Sequence, residues 1–458
     1  MRNAQLFTIK NAVPGLHWPS IPGAEGASLL ALLYQLEESQ WQTPETLIDL
    51  QLKQATTLLA FARQTVPYYQ KQLQQLRISP DKPVSLQQWQ ELPILTRQQV
   101  QEAGRAMIST NIPADHGKVA SIQSSGSTGF ALTAWQTEVA QTFYHALTLR
   151  NHLWHRRNFS KKFAAIRLSK PLKPGESTDS ASWGPATDMT VETGPAATLH
   201  INTDIKQQAA WLMEQQPAYL LSFPTNLHAL AAFFLERGYT LPCLAQVIAY
   251  GEMLDPETRL LCREAWQVEV KDMYSANEVG YMALQCPDHE HYHVMAENVM
   301  LEIVDEMGRP CLPGELGRVV VTTLHNFAMP LIRYAIGDYG TLGEPCPCGR
   351  GLPVLEKVVG RQRNLLTLPD GSRRWPLFLS AWSGIAAIRQ VQLIQESLQE
   401  VTARLVVARP LPPEEEKEFI AAIQQCLGYP FAMQLEYVEK IERLPSAKLE
   451  DFISKVGQ

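Results

Sequence analysis

The sequence predicts an α/β protein with a large domain over residues 1–360 and a small α+β domain over residues 361–458. First, short apolar runs alternate with helix-like segments from 117 to about 275, which is typical of a mainly parallel sheet covered by helices. Second, the pattern changes to strands and turns from residue 293, which indicates a β-rich subdomain. Third, a short pattern of strands and one helix follows Gly360, which indicates a separate small domain.

Local patterns predict each element in turn. Residues 1–116 are polar and helical, with Gln-rich amphipathic stretches. Apolar runs then predict buried strands at 162–168, 217–223, 244–250 and 267–274, with helices at 136–156, 204–216, 225–237 and 255–266. Asp255 and Pro256 form a clear helix start, because the aspartate side chain can cap the helix and proline suits its first turn. Further on we expect strands at 299–304, 318–324, 390–395, 401–408 and 433–440, a turn at Asp370–Gly371 and a helix at 412–427.

The composition is that of a globular protein. The chain of 458 residues can bury a large core, with 45% hydrophobic and 19% charged residues. The net charge of −6 offers no electrostatic footprint for nucleic acid, and the longest apolar run, Leu29–Tyr34, is too short to span a membrane. The odd count of seven cysteines and the absence of a secretory signal lead us to expect reduced thiols and a cytoplasmic protein.

The run Ser124–Gly129 contains four hydroxyl residues and two glycines, and it follows a short strand-like segment at Val119–Ile122. Glycine lets the backbone approach a ligand closely, and successive N–H groups with hydroxyls can bind phosphate oxygens. The run therefore favours a polyphosphate-binding loop, although it is not a Walker A motif. The alternative is an ordinary surface loop.

Polar residues also follow two predicted strands, at Tyr250–Glu252 and at Tyr274–Glu278. Ligands of open α/β sheets bind beyond the carboxyl ends of strands, where an aromatic ring can stack on a base and a carboxylate can hold magnesium. Asp338, directly after Gly337, is suited to bind ribose hydroxyls. The alternatives are a packed Tyr274, a helix cap at Glu278 and a surface turn at Asp338.

A set of cysteines and histidines has the composition of a metal site. Cys346 and Cys348 are close in sequence, Cys286 lies upstream, and three histidines follow it at His289, His291 and His293. Three thiolates and one imidazole would make a tetrahedral zinc site. The alternative is reduced cysteines placed separately.

The segment Arg150–Lys162 is rich in basic residues and also contains Trp154 and Phe159. We expect it to be a solvated helix end, with contact to a CoA phosphate or a carrier protein as the alternative.

Together with the segments Leu92–Arg97, Gly360–Asn364 and Arg443–Lys448, these motifs occur in an order that resembles the adenylate-forming (ANL) superfamily. That superfamily contains acyl- and aryl-CoA synthetases, adenylation domains and luciferases. The closest resemblance is to its phenylacetate–CoA ligase-like branch. It covers roughly residues 90–450 and implies a large N-terminal domain and a small, mobile C-terminal one.

The resemblance implies a nucleotide site. The residues that would hold the ATP triphosphate are Ser124, Ser125, Gly126, Ser127, Thr128 and Gly129. Tyr274 would stack on adenine, with Gly251 and Glu252 lining the base pocket. Asp338 would bind the ribose, with Arg361 nearby.

The resemblance also implies two catalytic groups and a metal site. Glu278 would bind magnesium, and Lys448 would reach between the carboxylate and the α-phosphate, where negative charge develops. A similar Cys/His set binds structural zinc in related members, which here implies the ligands Cys286, His293, Cys346 and Cys348. His293 fits best by position, while His289 and His291 remain open.

Several positions depart from the family pattern. Phe130 and Ala131 follow the Ser/Gly loop in place of proline, and Ala447 replaces the glycine before the lysine. Ser275 and Asn277 replace a glycine and a hydroxyl residue in the motif of Tyr274. At the hinge, Arg363 and Asn364 stand where relatives have two acidic residues, which bears on the motion of the C-terminal domain.

The function implied by the resemblance is ATP-dependent activation of a carboxylic acid through an acyl-adenylate, with release of pyrophosphate and transfer to CoA. The acid would be aromatic or otherwise apolar, and a homodimer is compatible with the family. One alternative is transfer to the thiol of an acyl carrier protein or to an amine. Another is a catalytically silent nucleotide-binding or scaffold protein. The implied cofactors are ATP, Mg²⁺, CoA and structural Zn²⁺, with no nucleic-acid or membrane partner.

Overall fold

The structure is a computed structural model that describes residues 8–16, 18–74, 82–123, 132–361, 366–374, 376, 387–442 and 451–456. Of Arg361, Arg373 and Arg374 it describes the backbone alone. Predictions that concern Ser124–Gly129, Phe130, Ala131, Arg363, Asn364, Ala447 and Lys448 lie outside the described residues.

The N-terminal region is mostly helical, as predicted. Its elements are β1 (Thr8–Ile9), α1 (Ala24–Ser39), α2 (Pro44–Thr65), α3 (Pro67–Gln72), α4 (Leu86–Gln90) and α5 (Arg97–Ala103), followed by 3₁₀ turns at Gly104–Met107 and Ala114–His116. The side chain of Thr43 caps α2, and those of Ser85 and Thr96 form capping boxes at α4 and α5. The buried apolar side chains of α2 pack against the strands of the β-rich subdomain.

A parallel sheet forms the next part of the chain. Its region contains β2 (Val119–Gln123), β3 (Thr133–Thr137), α6 (Glu138–Trp154), β4 (Phe163–Arg167), β5 (Ser177–Ser180), α7 (Pro185–Asp188), β6 (Val191–Glu192), β7 (Ala196–His200), α8 (Ile205–Gln215), β8 (Tyr219–Ser222), α9 (Pro224–Arg237), β9 (Gln246–Ala249), α10 (Pro256–Trp266) and β10 (Glu269–Lys271). Six strands pair in the order β10-β9-β8-β4-β7-β5, and only the edge pair β5–β7 is antiparallel. Helices α8, α9 and α10 pack on one face through a continuous apolar core.

The start of α10 illustrates how local sequence sets an element. The carboxylate of Asp255 accepts a hydrogen bond from the backbone N–H of Thr258 at 2.8 Å, and Pro256 is the first helical residue. The helix ends at Trp266, where Gln267 adopts a left-handed conformation with φ of 57°. The predicted helix at 255–266 is therefore confirmed.

An antiparallel sheet follows, as the strand and turn pattern predicted. Its strands are β11 (Met273–Ala276), β12 (Gly280–Gln285), β13 (Tyr292–Val294), β14 (Val299–Val304), β15 (Leu316–Thr323), β16 (Tyr334–Leu342) and β17 (Val354–Arg361). They pair in the order β11-β12-β13-β17-β16-β15-β14. This sheet shares its core with α2 and α3, so the N-terminal helices and the β-rich subdomain pack together.

The C-terminal elements surround a core of their own. They are β18 (Leu366–Thr367), β19 (Arg373–Arg374), β20 (Ile388–Gln395), β21 (Glu400–Val407), α11 (Pro413–Leu427), β22 (Ala432–Tyr437) and β23 (Phe452–Ser454). Four of these strands pair in the order β22-β21-β20-β23, and apolar side chains of α11 pack against them. The predicted α/β class is confirmed, whereas the boundary between 360 and 361 stays a prediction. Within the described ranges, the helices include none that has both the length and the apolarity to cross a membrane.

Candidate functional site

The site lies where the parallel sheet meets the antiparallel one. Because β4, β8, β9 and β10 run parallel, their carboxyl ends share one edge of the sheet. Tyr250, Gly251 and Glu252 follow β9 directly, and Tyr274 lies in β11, just after β10. The order of strands thus brings the two predicted constellations to the same edge.

Tyr274 and Asp338 are in direct contact. The phenol of Tyr274 donates a hydrogen bond to Oδ2 of Asp338 at 2.7 Å. Asp338 lies in β16 opposite Arg361 of β17, and Gly337 before it has a φ of 94°, a conformation that favours glycine. The structure therefore brings together three positions to which the resemblance assigns adenine and ribose.

Glu278 is buried and paired with a cation that the sequence did not single out. Its Oε1 lies 3.5 Å from Nη1 of Arg97, and its side chain is 6% exposed. Arg97 is the first residue of α5, and Leu95, two residues earlier, pairs with Tyr334, the first residue of β16. The segment Leu92–Arg97 was used only to support the resemblance, so its one charged residue was missed as a site residue.

The residue before Glu278 connects it to the β2–β3 hairpin. The side chain of Asn277 donates to the carbonyl of Gln123 at 3.0 Å, and the carbonyl of Asn277 accepts from the side chain of Gln136 at 3.0 Å. Gln123 is the last residue of β2 and directly precedes Ser124 in the sequence. Glu278 thus directly follows a residue that contacts the end of β2. The predicted triphosphate loop follows that strand in the sequence.

Glu252 serves as a helix cap. Its Oε2 accepts from the backbone N–H of Thr225 at 3.1 Å and from the Thr225 hydroxyl at 2.8 Å, at the start of α9. A carboxylate at this end of a helix is favoured by the helix dipole. Gly251 has a φ of 75°, which allows the chain to turn sharply after β9, and the ring of Tyr250 stacks on Phe223 at 4.7 Å.

The four predicted metal ligands come together. The ligand atoms of Cys286, His293, Cys346 and Cys348 all lie within 4.8 Å of one another. The Sγ atoms of Cys286 and Cys346 are 3.9 Å apart, and Nε2 of His293 is 3.4 Å from Sγ of Cys348. Such a Cys₃His donor set is one that zinc prefers.

The surroundings of His293 suit a metal ligand. Its Nδ1 lies 3.4 Å from the carbonyl of Leu352, which leaves Nε2 for the cluster. Burial lowers the pKa of His293 to about 4, so the imidazole is neutral near pH 7. His291 lies beside the cluster, with Nε2 at 3.0 Å from Sγ of Cys346, and its ring stacks on that of His289. The residues present therefore fit a zinc ion, with His293 as the histidine in the four-residue set.

A buried polar network joins this cluster to the strand of Tyr274. The phenol of Tyr292, next to His293, donates to Asp272 at 2.5 Å. The side chain of Gln285, next to Cys286, accepts from the backbone N–H of Asp272 at 2.8 Å. Asp272 directly precedes β11, so two hydrogen bonds connect the Cys/His cluster to the start of that strand.

The segment Arg150–Lys162 differs from its expected form as a solvated helix end. Arg150, His152 and Arg157 are buried, and Arg150 forms an ion pair with Glu297 at 3.0 Å. Arg157 donates to the side chain of Gln246 at 2.7 Å, and burial lowers its pKa to about 9. The prediction was wrong because long-range packing, which the charge pattern does not encode, covers the end of α6.

Arg333 has a structural role. Its guanidinium pairs with Glu302 at 2.9 Å and donates to the carbonyls of Gln90 and Leu92. The indole N–H of Trp89 donates to the same glutamate. This network fixes the segment that leads to Arg97.

Comparisons with known proteins match two parts of this chain to known sequences. A family model for the CapK C-terminal domain matches residues 377–455. The phenylacetate-coenzyme A ligase of Thermus thermophilus is 26% identical over 170 residues, which are 36% of this chain and 38% of that one. The match thus spans less than two fifths of that relative's length.

Solved structures match over most of the chain. A 2-hydroxyisobutyryl-CoA ligase in the postadenylation state with R3-HIB-AMP superposes with a TM-score of 0.69, at 18% identity and 89% coverage of both chains. The same ligase with 2-HIB-AMP and CoA in the thioesterification state gives 0.57, at 16% identity and 98% and 97% coverage. An anthranilate CoA ligase with anthranoyl-AMP gives 0.53, at 17% identity and 72% and 64% coverage. The chain has the fold of the adenylate-forming CoA ligases, which confirms the resemblance at the level of fold.

Proposed function

We propose that this protein is an ATP-dependent acid–thiol ligase that forms an acyl-adenylate and then a CoA thioester. The observation that supports this most is the Tyr274–Asp338 contact at the carboxyl edge of the sheet, in a fold shared with CoA ligases. Glu278, one residue after the Asn277 contact to the end of β2, adds a carboxylate close to the strand that precedes Ser124 in the sequence. In relatives of this fold, AMP conjugates and CoA occur in the solved complexes.

In the first half-reaction, a carboxylate oxygen of the acid would attack the α-phosphorus of ATP. The bond from that phosphorus to the bridging oxygen would break, and pyrophosphate would leave. Lys448 would stabilise the charge that develops on the α-phosphoryl oxygens, as the sequence resemblance implies. Tyr274 would hold adenine and Asp338 the ribose, which fixes the α-phosphate relative to the acid.

In the second half-reaction, the sulfur of CoA would attack the carbonyl carbon of the adenylate. The bond from that carbon to the AMP oxygen would break, and the thiol proton would pass to solvent or a nearby base. The acceptor could instead be a carrier-protein thiol or an amine, an alternative that rests on Arg363 and Asn364. A cytoplasmic setting and a homodimer are part of the same proposal.

Two metal ions belong to the proposal. Glu278 would hold a magnesium ion, which neutralises charge on the bound phosphates. Cys286, His293, Cys346 and Cys348 would hold a structural zinc ion, because four protein ligands leave no open position for catalysis.

The experiment is ATP–pyrophosphate exchange with a panel of acids, followed by thioester detection with and without CoA. We expect exchange in the wild type and a loss of about 100-fold or more in Lys448→Ala, because charge stabilisation at the α-phosphate is removed. An exposed lysine, Lys53 on α2, provides the control Lys53→Ala. Exchange without thioester would favour the carrier-protein or amine acceptor. No exchange with any acid would leave a silent nucleotide-binding protein as the better description.

A further inference from the structure

An exposed arginine ends a central strand of the parallel sheet. Arg167 is the last residue of β4, which lies between β7 and β8. Along β4, Ala164 and Ile166 face the core under α8–α10, so Arg167 points to the opposite face. That face also carries Phe163, which packs near Trp183 and Tyr219.

Arg167 shares its edge of the sheet with the candidate nucleotide site. Strands β4, β8 and β9 run parallel, and Tyr250 follows β9 at the same edge. Burial raises the pKa of Tyr250, and the positive charge of Arg167 opposes that rise more strongly than any other group. The guanidinium therefore lies within electrostatic reach of the Tyr250 phenol.

Aromatic side chains also lie near Tyr250 at this edge of the sheet. Tyr144 on α6 is 45% exposed, and its ring stacks on that of Tyr281 at 4.8 Å. It also lies close enough to Tyr250 to raise the pKa of that phenol. Tyr281 pairs with Ser275 in β11, next to Tyr274. Tyr144, Tyr250 and Arg167 thus lie near the strand of Tyr274, where the acid would bind if Tyr274 holds adenine.

The guanidinium of Arg167 has neither an ion pair nor a hydrogen bond with any residue of the described ranges. Buried arginines of this chain behave differently, because Arg150 and Arg333 each pair with a carboxylate. The carboxylate of Glu252 also raises the pKa of Tyr250, and it accepts a hydrogen bond from the Thr225 hydroxyl. An apolar acid placed against Arg167 would remove water from the guanidinium without supplying a partner, which is unfavourable.

We propose that Arg167 binds a second carboxylate of the substrate, so that the preferred acids are dicarboxylic acids with an aromatic or short carbon skeleton. The proposal rests on the ligase function above and replaces the expectation of an apolar acid. The first carboxylate reacts at the α-phosphate, while the second forms a charge-assisted, bidentate pair with the guanidinium. The rings of Tyr144 and Tyr250 would contact the carbon skeleton between the two.

The test compares matched acids that differ in the second carboxylate: terephthalate with 4-methylbenzoate, and glutarate with pentanoate. We expect acid-dependent pyrophosphate exchange to favour each dicarboxylate. Arg167→Gln should raise KM for the dicarboxylates by about 10- to 100-fold and leave the monocarboxylates unchanged or improved, because only the former lose a charged partner. Arg237→Gln, at the far end of α9, is the matched control and should leave KM unchanged for both the dicarboxylates and the monocarboxylates.

Calorimetric titration of terephthalate without ATP separates this inference from the ligase proposal. Binding to the wild type but not to Arg167→Gln, with no exchange, would refute the ligase and retain the carboxylate site. Exchange with monocarboxylates and no terephthalate binding would refute the inference alone. Two results with Arg167→Gln would also overturn the inference. One is an equal loss of exchange activity with all four acids, and the other is a higher KM for ATP or CoA with unchanged acid selectivity, which would mean that Arg167 contacts the nucleotide or CoA.

Discussion

The contact between Tyr274 and Asp338 couples two groups that are 64 residues apart in the sequence. A tyrosine that stacks on a base needs a fixed ring, and the hydrogen bond of its phenol to Asp338 holds the ring against β16. The same bond occupies one carboxylate oxygen of Asp338 and orients the other. A single phenol oxygen therefore affects both the adenine and the ribose contact that we propose.

Removing that oxygen tests the coupling. Tyr274→Phe keeps the ring and deletes the hydrogen bond, so we expect KM for ATP to rise by about 5-fold with a smaller change in kcat. Pyrophosphate exchange rates measured at varied ATP concentration give this KM. The control is Tyr34→Phe, a change at a side chain that is 68% exposed on α1. An unchanged KM for ATP in Tyr274→Phe would contradict the assigned role.

Asp272 gives a prediction for pH. Burial raises the pKa of Asp272 to about 6, whereas the hydrogen bond from Tyr292 opposes that rise. Because the folded pKa lies above the unfolded value, the folded state binds more protons between these values, and stability falls as pH rises from about 4 to 6. Ionisation of Asp272 therefore makes the free energy of unfolding about 3 kcal/mol lower above pH 6 than below pH 4.

Asp272→Asn removes this titration. We expect the free energy of unfolding of the wild type to fall relative to that of Asp272→Asn as pH rises from 4 to 7. Denaturant unfolding across this range measures the difference. Asp179→Asn on the exposed strand β5 is the control and should run parallel to the wild type. A constant difference between wild type and Asp272→Asn would contradict the prediction.

At the scale of elements, β12 and β13 connect two sites. One end of this pair carries Cys286 and His293 of the candidate metal site, and Gln285 and Tyr292 beside them bind Asp272 next to the start of β11. The cluster therefore supports the strand of Tyr274 through hydrogen bonds rather than through contact with a nucleotide. The close packing of three thiols and one imidazole suits a metal ion, which would bind the thiolate forms.

Loss of the metal should weaken both stability and nucleotide binding. We expect about one equivalent of zinc in the purified wild type and less in Cys346→Ser, with a lower melting temperature and a higher KM for ATP. Metal analysis, thermal unfolding and exchange kinetics measure these. Cys243→Ser, at an exposed cysteine outside the cluster, should retain the metal. Full zinc retention in Cys346→Ser would exclude this ligand set.

At the scale of the molecule, the two predicted domains meet at the hinge motif. The CapK C-terminal domain match covers residues 377–455, all of which follow the predicted boundary at 360. Relatives of this fold are known in postadenylation and thioesterification states, with different TM-scores to this chain. Under the proposed function, Arg363 and Asn364 are the positions at which a change of acceptor or of domain motion would be encoded.

The double variant Arg363→Asp with Asn364→Asp restores the acidic pair of the family. If the native hinge limits the second half-reaction, the variant should raise the rate of thioester formation with CoA several-fold and leave pyrophosphate exchange unchanged. Both rates are measured on the same preparation, so that exchange is the internal control. A parallel fall in both rates would place the two positions in the nucleotide site instead.

Much of the architecture was predictable because its signals are local. The start of α10 depends on Asp255 and Pro256 alone, and the strands of the parallel sheet follow from apolar runs of a few residues. Cysteine and histidine types pointed to a metal site, but the four-residue set with His293 came from the family resemblance, since the sequence alone left His289, His291 and His293 open. The pair Arg97–Glu278 could not be found in this way, since the two residues are 181 positions apart.

The sequence by itself determined the class of fold, the order of the motifs and the residue types available for chemistry, since these depend on periodicity and side-chain identity. Only the tertiary structure decided which charges are buried and which are exposed. Arg157 and Arg167 lie ten positions apart, yet one is covered by packing and the other is exposed at the edge of the sheet. The reason is physical: the free energy of a charge depends on the groups and the water around it, and distant parts of the chain supply those groups.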